Sequence, residues 1–228
     1  MPLSVFGELS SAEYFFKAGA VRIRPPKAIR FKQGVLSPGA YINNRVLPSH
    51  PDEWGAIIEL LLFQTEDLVH DYGAVASVAS GGVPHGVALA REMGMPHFTV
   101  KKEEKTGHGL GGLIDGDAAL LDGMRVLLVE DMSSTFESAL AAMKTLEAAG
   151  ARVAHTLILN TWGLPEFHAN IVGHSVHALC TGEMIVDYAA QNGMLDEGVE
   201  RIVRRWLTDP RDESWSKEGW ELPQRAGG

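Results

Sequence analysis

Two adjacent carboxylates, Glu130 and Asp131, close an apolar run at residues 126–129, and a hydroxyl-rich turn follows with Ser133, Ser134, Thr135 and Ser138. A helical pattern begins behind that turn. Free backbone N–H groups and the helix dipole make such a turn an anion site, and small hydroxyl side chains add donors. The carboxylates repel a phosphate that comes too near, but they suit the hydroxyls of a sugar or a bound cation. A ligand with a phosphate at one end and a diol a few ångström away satisfies both halves, and a ribose 5-phosphate has that shape. The competing reading is a strand that ends in a solvated acidic turn with helix-capping serines.

Three further segments carry groups of the right kind. Residues 100–116 hold Lys101, Lys102, Lys105 and His108 among Gly107, Gly109, Gly111 and Gly112. Ammonium and imidazole groups on a mobile loop can fold over a polyphosphate and neutralise charge on a departing pyrophosphate. Glu103 and Glu104 offset two of the lysines, so the same segment also reads as a solvated charged loop. At residues 79–90, Gly81 and Gly82 let a pyrophosphate approach the backbone. The spacing is not G-x-G-x-x-G, so a nicotinamide site is not supported. A bland strand-to-helix turn would use the same residues. Residues 34–45, GVLSPGAYINNR, place a Ser-Pro pair and Tyr41 in an irregular, Pro- and Gly-punctuated stretch.

The elements that must position these groups follow from periodicity. Apolar runs at 74–79, 97–100, 124–129, 153–159 and 174–179 read as strands. The run at 124–129 is continuous, as in a parallel sheet covered on both faces. Helical patterns fall at 52–70, 84–93, 137–149, 182–192 and 196–206. A short helix at 10–19 opens at Ser10 or Ser11. Alternation of strands with helical stretches predicts an α/β fold with a doubly wound parallel sheet. Ligands in such sheets sit beyond the carboxyl ends of the strands, where residues 80–85, 101–112 and 130–138 fall. The expected organisation is one integrated domain: an amino-terminal helix and small hood over 1–50, a core over 51–207, and a tail over 208–228.

Composition narrows the class. The chain has 228 residues, 45% of them apolar and 21% charged, ordinary globular usage that excludes wholesale disorder. A net charge of −9 argues against a general nucleic-acid binder. The single cysteine, Cys180, excludes an internal disulfide framework and a Cys-rich zinc site, and it reads as a small buried hydrophobe. No apolar run is long enough for a membrane span and no signal-peptide pattern opens the chain, so the expected place is the cytoplasm, away from membranes. The histidines, including His155, His168, His174 and His177, lack metal-ligand spacing. Trp206, Trp215 and Trp220 read as packing residues of the carboxyl-terminal appendage.

The four segments together carry a resemblance. The apolar run, acid pair and Ser/Thr loop are similar to the phosphoribosyl pyrophosphate motif of type I phosphoribosyltransferases. The lysine loop, the Gly81-Gly82-Val83-Pro84-His85 string and the Ser-Pro-x-Tyr-x-x-x-Arg-like hood resemble those of orotate phosphoribosyltransferases. The resemblance spans roughly residues 10–207. It implies transfer of a phosphoribosyl group to orotate, giving orotidine 5′-monophosphate and pyrophosphate in pyrimidine biosynthesis. Rival readings are a type I enzyme for another base and a non-catalytic nucleotide-sensing relative.

By this resemblance, Glu130, Asp131, Lys102, Lys105 and His108 are catalytic. Phosphoribosyl pyrophosphate is held by Lys101, Lys102, Lys105, His108, Gly81, Gly82 and the run Glu130, Asp131, Met132, Ser133, Ser134, Thr135, Phe136, Glu137 and Ser138. The base is held by Phe31, Ser37, Tyr41 and Ser134. Mg²⁺ is implied through substrate oxygens, with no direct side-chain ligation, and a homodimer in which the 101–112 loop acts in trans. Two departures stand out. Phe136 occupies a position where glycine is usual, which predicts a loop of different shape or one that opens only on binding. Thr161 stands where many relatives place an Arg against the orotate carboxylate, so either backbone N–H groups hold the base or the base is not orotate.

Overall fold

A computed structural model describes residues 6–31, 34–66, 68, 72–102 and 112–223. The chain opens with α1 (Phe6–Lys17), then four short strands, β1 (Val21–Ile23), β2 (Ile29–Arg30), β3 (Leu36–Ser37) and β4 (Ala40–Ile42), and a 3-10 turn over Asn44–Ser49. Next come α2 (Pro51–Glu66), β5 (Ala74–Val78), α3 (Val83–Met93), β6 (His97–Val100), β7 (Ile114–Asp115), β8 (Arg125–Ser133) and α4 (Glu137–Ala148). The chain continues through β9 (Arg152–Thr161), α5 (Pro165–Asn170), β10 (Val176–Thr181), α6 (Gly182–Gln191), α7 (Glu197–Thr208) and a second 3-10 turn, Ser214–Lys217.

The central sheet has six strands in the order β10-β9-β8-β5-β6-β7. All neighbours run parallel except β7, which returns antiparallel to β6. The expected α/β class holds, with an antiparallel edge that the polar, Gly-rich sequence around it gave no sign of. Successive residues of the central strands alternate between two cores. Val75, Leu127, Val129, Leu157 and Leu159 face one core, with Phe15, Ile57, Leu61, Leu89, Ile185 and Val203 from the surrounding helices. Ala74, Ala76, Val78, Val126, Leu128 and Ile158 face the other, with Ala139, Met143 and Leu146 of α4 and Phe167 of α5. Both faces are buried, which is why these strands are apolar throughout.

Three expectations need correction. The first helix begins at Phe6, ahead of the Ser10–Ser11 start read from the sequence. The second ends at Glu66, where the Leu68 N–H turns back to the Thr65 carbonyl, short of the expected residue 70. The third bears on chemistry: β8 runs on to Ser133, four residues past its apolar run. It does so because β9 keeps pairing with it, Glu130 opposite Ile158, Met132 opposite Asn160 and Ser133 opposite Thr161. On its other side, pairing with β5 stops at Val129. A crevice therefore opens beside the last third of β8, at the kind of switch point where α/β sheets take ligands. No helix among the described residues is long and apolar enough to cross a membrane.

Candidate active site

That crevice is a cavity of about 630 Å³. Its floor carries Glu130 and Asp131, so the acid pair belongs to the strand itself rather than to a turn beyond it. Glu130 is only 5% exposed and its Oε2 has no partner among the described residues. Burial first, and the Asp131 charge second, push its carboxyl up to about 8, against the opposing pull of the Ser133 hydroxyl and Lys102. Burial also raises Asp131, countered in part by the Met132 backbone N–H and the charges of Arg45 and Lys102.

The glycines of the facing loop make room for this floor. A Cβ at Gly81 would lie 2.2 Å from Asp131 Oδ2, and one at Gly82 would lie 2.7 Å from the Val129 carbonyl and 2.9 Å from that of Val78. Gly81 lines the cavity, whereas Gly82 packs inward against the strands and does not reach it. Asp131 is held from a third side. Asn44 Nδ2 donates to its backbone carbonyl, and beside Asn44 the buried His85 accepts on Nδ1 from Trp54 Nε1 at 3.0 Å. Burial lowers His85 to about 4, so the ring is neutral and serves as an anchor.

One wall is the turn between β8 and α4. Ser133, Ser134 and Ser138 line the cavity at the amino end of α4, where unpaired N–H groups face outward. Met132 lines it too, accepting a weak contact from the Ser134 hydroxyl on its sulfur at 3.5 Å. Phe136 is the residue that precedes α4. It adopts the left-handed conformation itself, with φ of 68° and ψ of 0°, and its N–H donates to Ser133 Oγ at 3.0 Å. Its ring is fully buried, edge-on to Phe167 at 6.0 Å and beside His174 at 5.9 Å. Left-handed strain costs a non-glycine residue about 1–2 kcal/mol, and burying a phenyl ring, worth about 1.5–3 kcal/mol, offsets it. The turn thus holds a non-glycine residue at positive φ, with the ring as its root in the core.

The remaining sequence candidates divide. Phe31 and Tyr41 line the cavity from above, and Lys102 stands at its mouth. Ser37 does not reach it: the side chain is buried and its Oγ donates to the Ala40 carbonyl at 2.7 Å. Thr135 faces a smaller adjoining cavity, and Glu137 faces a groove shared with Lys101. Lys101 is paired with Asp115 at 2.8 Å across β6 and β7. Lys105 and His108 lie outside the described residues. Thr161 is buried, its Oγ1 accepts from the Gly163 N–H at 3.0 Å, and it lines a separate cavity behind Trp162. Among the lining residues that the sequence reading did not name as site residues are Arg30, Arg45 and Trp162. Arg45 closes the GVLSPGAYINNR string and was findable as its one cation. Nothing local marks the other two.

The lining combines the two carboxyls with the hydroxyls of Ser133, Ser134 and Ser138 and three cations, Arg30, Arg45 and Lys102, the last two acting on the Asp131 charge. The phosphoribosyl transferase domain family matches residues 54–161. The orotate phosphoribosyltransferase of Coxiella burnetii is 31% identical over 206 residues, covering 90% of this chain and 96% of the relative. That of Bacillus pumilus is 30% identical over 211 residues, covering 91% of this chain and 97% of its own. The solved orotate phosphoribosyltransferase of Aeropyrum pernix superposes with a TM-score of 0.67 at 26% identity, covering 81% of this chain and 99% of that one. Likeness of this extent, over about nine-tenths of the chain and nearly all of each relative, makes the chain a member of the orotate phosphoribosyltransferase family.

Proposed function

We propose that this protein joins orotate to phosphoribosyl pyrophosphate, forming orotidine 5′-monophosphate and releasing pyrophosphate. The observation that carries the reading is the placement of Glu130 and Asp131 on the floor of a cavity walled by the serine turn of α4. In the reaction, the bond from the ribose anomeric carbon to pyrophosphate breaks and its electron pair leaves with the pyrophosphate. The bond from that carbon to the base nitrogen forms, and the base gives up its N–H proton.

The chain's residues divide the work. Ser133, Ser138 and the N–H groups at the start of α4 take the 5′-phosphate. Glu130 and Asp131 hold the ribose hydroxyls. The Asp131 charge helps raise Glu130, while Arg45 and Lys102 act to lower Asp131, so Asp131 is the better placed of the two to carry charge and favour a cationic ring. Lys102 and Arg45 meet the pyrophosphate, joined by Lys101, Lys105 and His108 of the loop. Phe31, Tyr41 and Trp162 enclose the flat base. Its carboxylate falls to hood backbone N–H groups and the Ser134 hydroxyl, since Thr161 faces away.

Mg²⁺ fits this site, because the Glu130 Oε2 is buried without a partner among the described residues and Asp131 lines the same cavity. The ion would keep most of its ligands on the substrate, with Glu130 and Asp131 beside it, and when bound would neutralise charge on the pyrophosphate. Under this reading the enzyme works in the cytoplasm as a homodimer whose 101–112 loop closes over the partner's site. The test is a panel of orotate, uracil and purine bases with phosphoribosyl pyrophosphate and Mg²⁺, following pyrophosphate release. Release with orotate alone supports the reading. Release only with another base overturns the orotate assignment, and release with none overturns the transferase.

A further inference from the structure

We propose that the carboxyl-terminal segment 209–222 sets the base end of the site, with Trp215 as the positioning residue that holds the hood in place. The inference rests on the base lying under the hood, and it adds which part of the chain fixes that hood. The β2–β3 hairpin has only two residues per strand, too few to hold a shape alone. The segment clasps its outer side. Trp215 is fully buried against Ala28, Leu36 and Ile202, with Trp220 edge-on at 5.2 Å. Ala28 N donates to the Glu221 carbonyl at 2.9 Å, and Glu221 N donates to the Pro26 carbonyl at 2.7 Å. Arg30 meets Glu213 at 3.2 Å. The segment is itself tied to α7, where Arg205 reaches Asp212 at 3.3 Å and Ser214 Oγ at 3.1 Å.

The inner side of the same hairpin leads to Phe31. Its ring stands edge-on to Trp206 at 6.0 Å, and Trp206 stands edge-on to Trp162 at 5.4 Å. Phe31 and Ser134 are shared between the main cavity and the adjoining one of about 280 Å³, whose far wall is residues 208–211. The segment thus grips the hairpin from behind and closes the space in front of it. Exposed ion pairs contribute little on their own, so the burial of Trp215 is what holds the clasp. Trp215 Nε1 has no partner among the described residues, so it is the ring, rather than its N–H, that matters.

The test uses the full chain. Trp215→Ala should raise KM for orotate about tenfold, the scale of losing one packed aromatic anchor, with KM for phosphoribosyl pyrophosphate unchanged within about twofold. Trp215→Phe should restore most of the orotate KM. Without any substrate, hydrogen exchange in Trp215→Ala should speed up across residues 26–31 and 36–42 while 126–139 stays protected. Should Trp215→Ala fail to fold, the milder Trp215→Leu, which leaves a smaller gap, should still raise the orotate KM alone, by about fivefold. Equal rises in both KM values, or hood exchange that is unchanged, would overturn the proposal. A wild type that ignores orotate sinks the assigned base and leaves the exchange readout to decide on the clasp.

Discussion

The floor of the cavity is one continuous stretch, residues 126–139, with its side chains rooted in both cores, whereas the roof joins β2 and β3 to a carboxyl-terminal segment far along the chain, 183 residues apart at Arg30 and Glu213. The floor holds its charged groups in a tight, desolvated frame: Asp131 against Gly81, Glu130 buried, Phe136 locked in a left-handed turn. The roof is shallower, with two-residue strands and partly exposed Arg30 and Tyr41. A rigid floor suits groups that must meet charge as it develops on the ribose. A roof made of separable pieces suits a base that has to enter and leave. Floor variants should therefore act on kcat and on stability, and roof variants on affinity for the base.

The largest expected effect tests whether the floor is rooted in the core. Phe136→Ala should cost about 3–5 kcal/mol of stability, as deletions of buried phenyl rings do. Chemical denaturation checks it, and a loss under about 1 kcal/mol would show that the ring is not the root of the turn. Next, Gly81→Ala places a methyl 2.2 Å from the Asp131 carboxylate. Displacing that carboxylate by about an ångström should lower kcat about 10²-fold, with the fold kept. Wild-type kcat in this variant would mean that the position of Asp131 is not critical.

A smaller effect concerns the cost of burying Glu130. Its folded-state value lies near 8, above the ordinary 4.5, so the fold prefers the protonated form. The penalty is absent below the unfolded value, grows as pH rises from there to about 8, and is constant above. Glu130→Gln should therefore stabilise the protein at pH 8.5 by about 1–3 kcal/mol and leave it little changed at pH 4.5, while activity falls. Thermal melts at the two pH values check this. Equal shifts at both would show that burial of the charge is not the cause.

The same contrast decides what could be read in the chain. The floor was legible because its parts are sequence neighbours: apolar run, acid pair, hydroxyl turn, helix. Even there, two features needed tertiary partners. Strand pairing beyond Val129 depends on β9, and the left-handed Phe136 depends on Phe167 and His174, more than thirty residues on. The roof was legible only where a motif string marked it, as at Tyr41. Ser37 was named and proves to be hood scaffolding, while Arg30 and Trp162 reach the cavity through contacts that no local pattern encodes. The tail reads as a polar appendage, and only the burial of Trp215 reveals where it docks.

The central claim, that the charge on the floor of β8 drives the reaction, is tested most directly by Asp131→Asn. The amide keeps the shape and removes the charge. Pre-steady-state and steady-state turnover of orotate with phosphoribosyl pyrophosphate should fall about 10²–10³-fold in kcat, the loss expected for one transition-state electrostatic contact, while the melting temperature holds or rises. A variant that turns over at close to the wild-type rate would contradict the account and remove Asp131 from the mechanism.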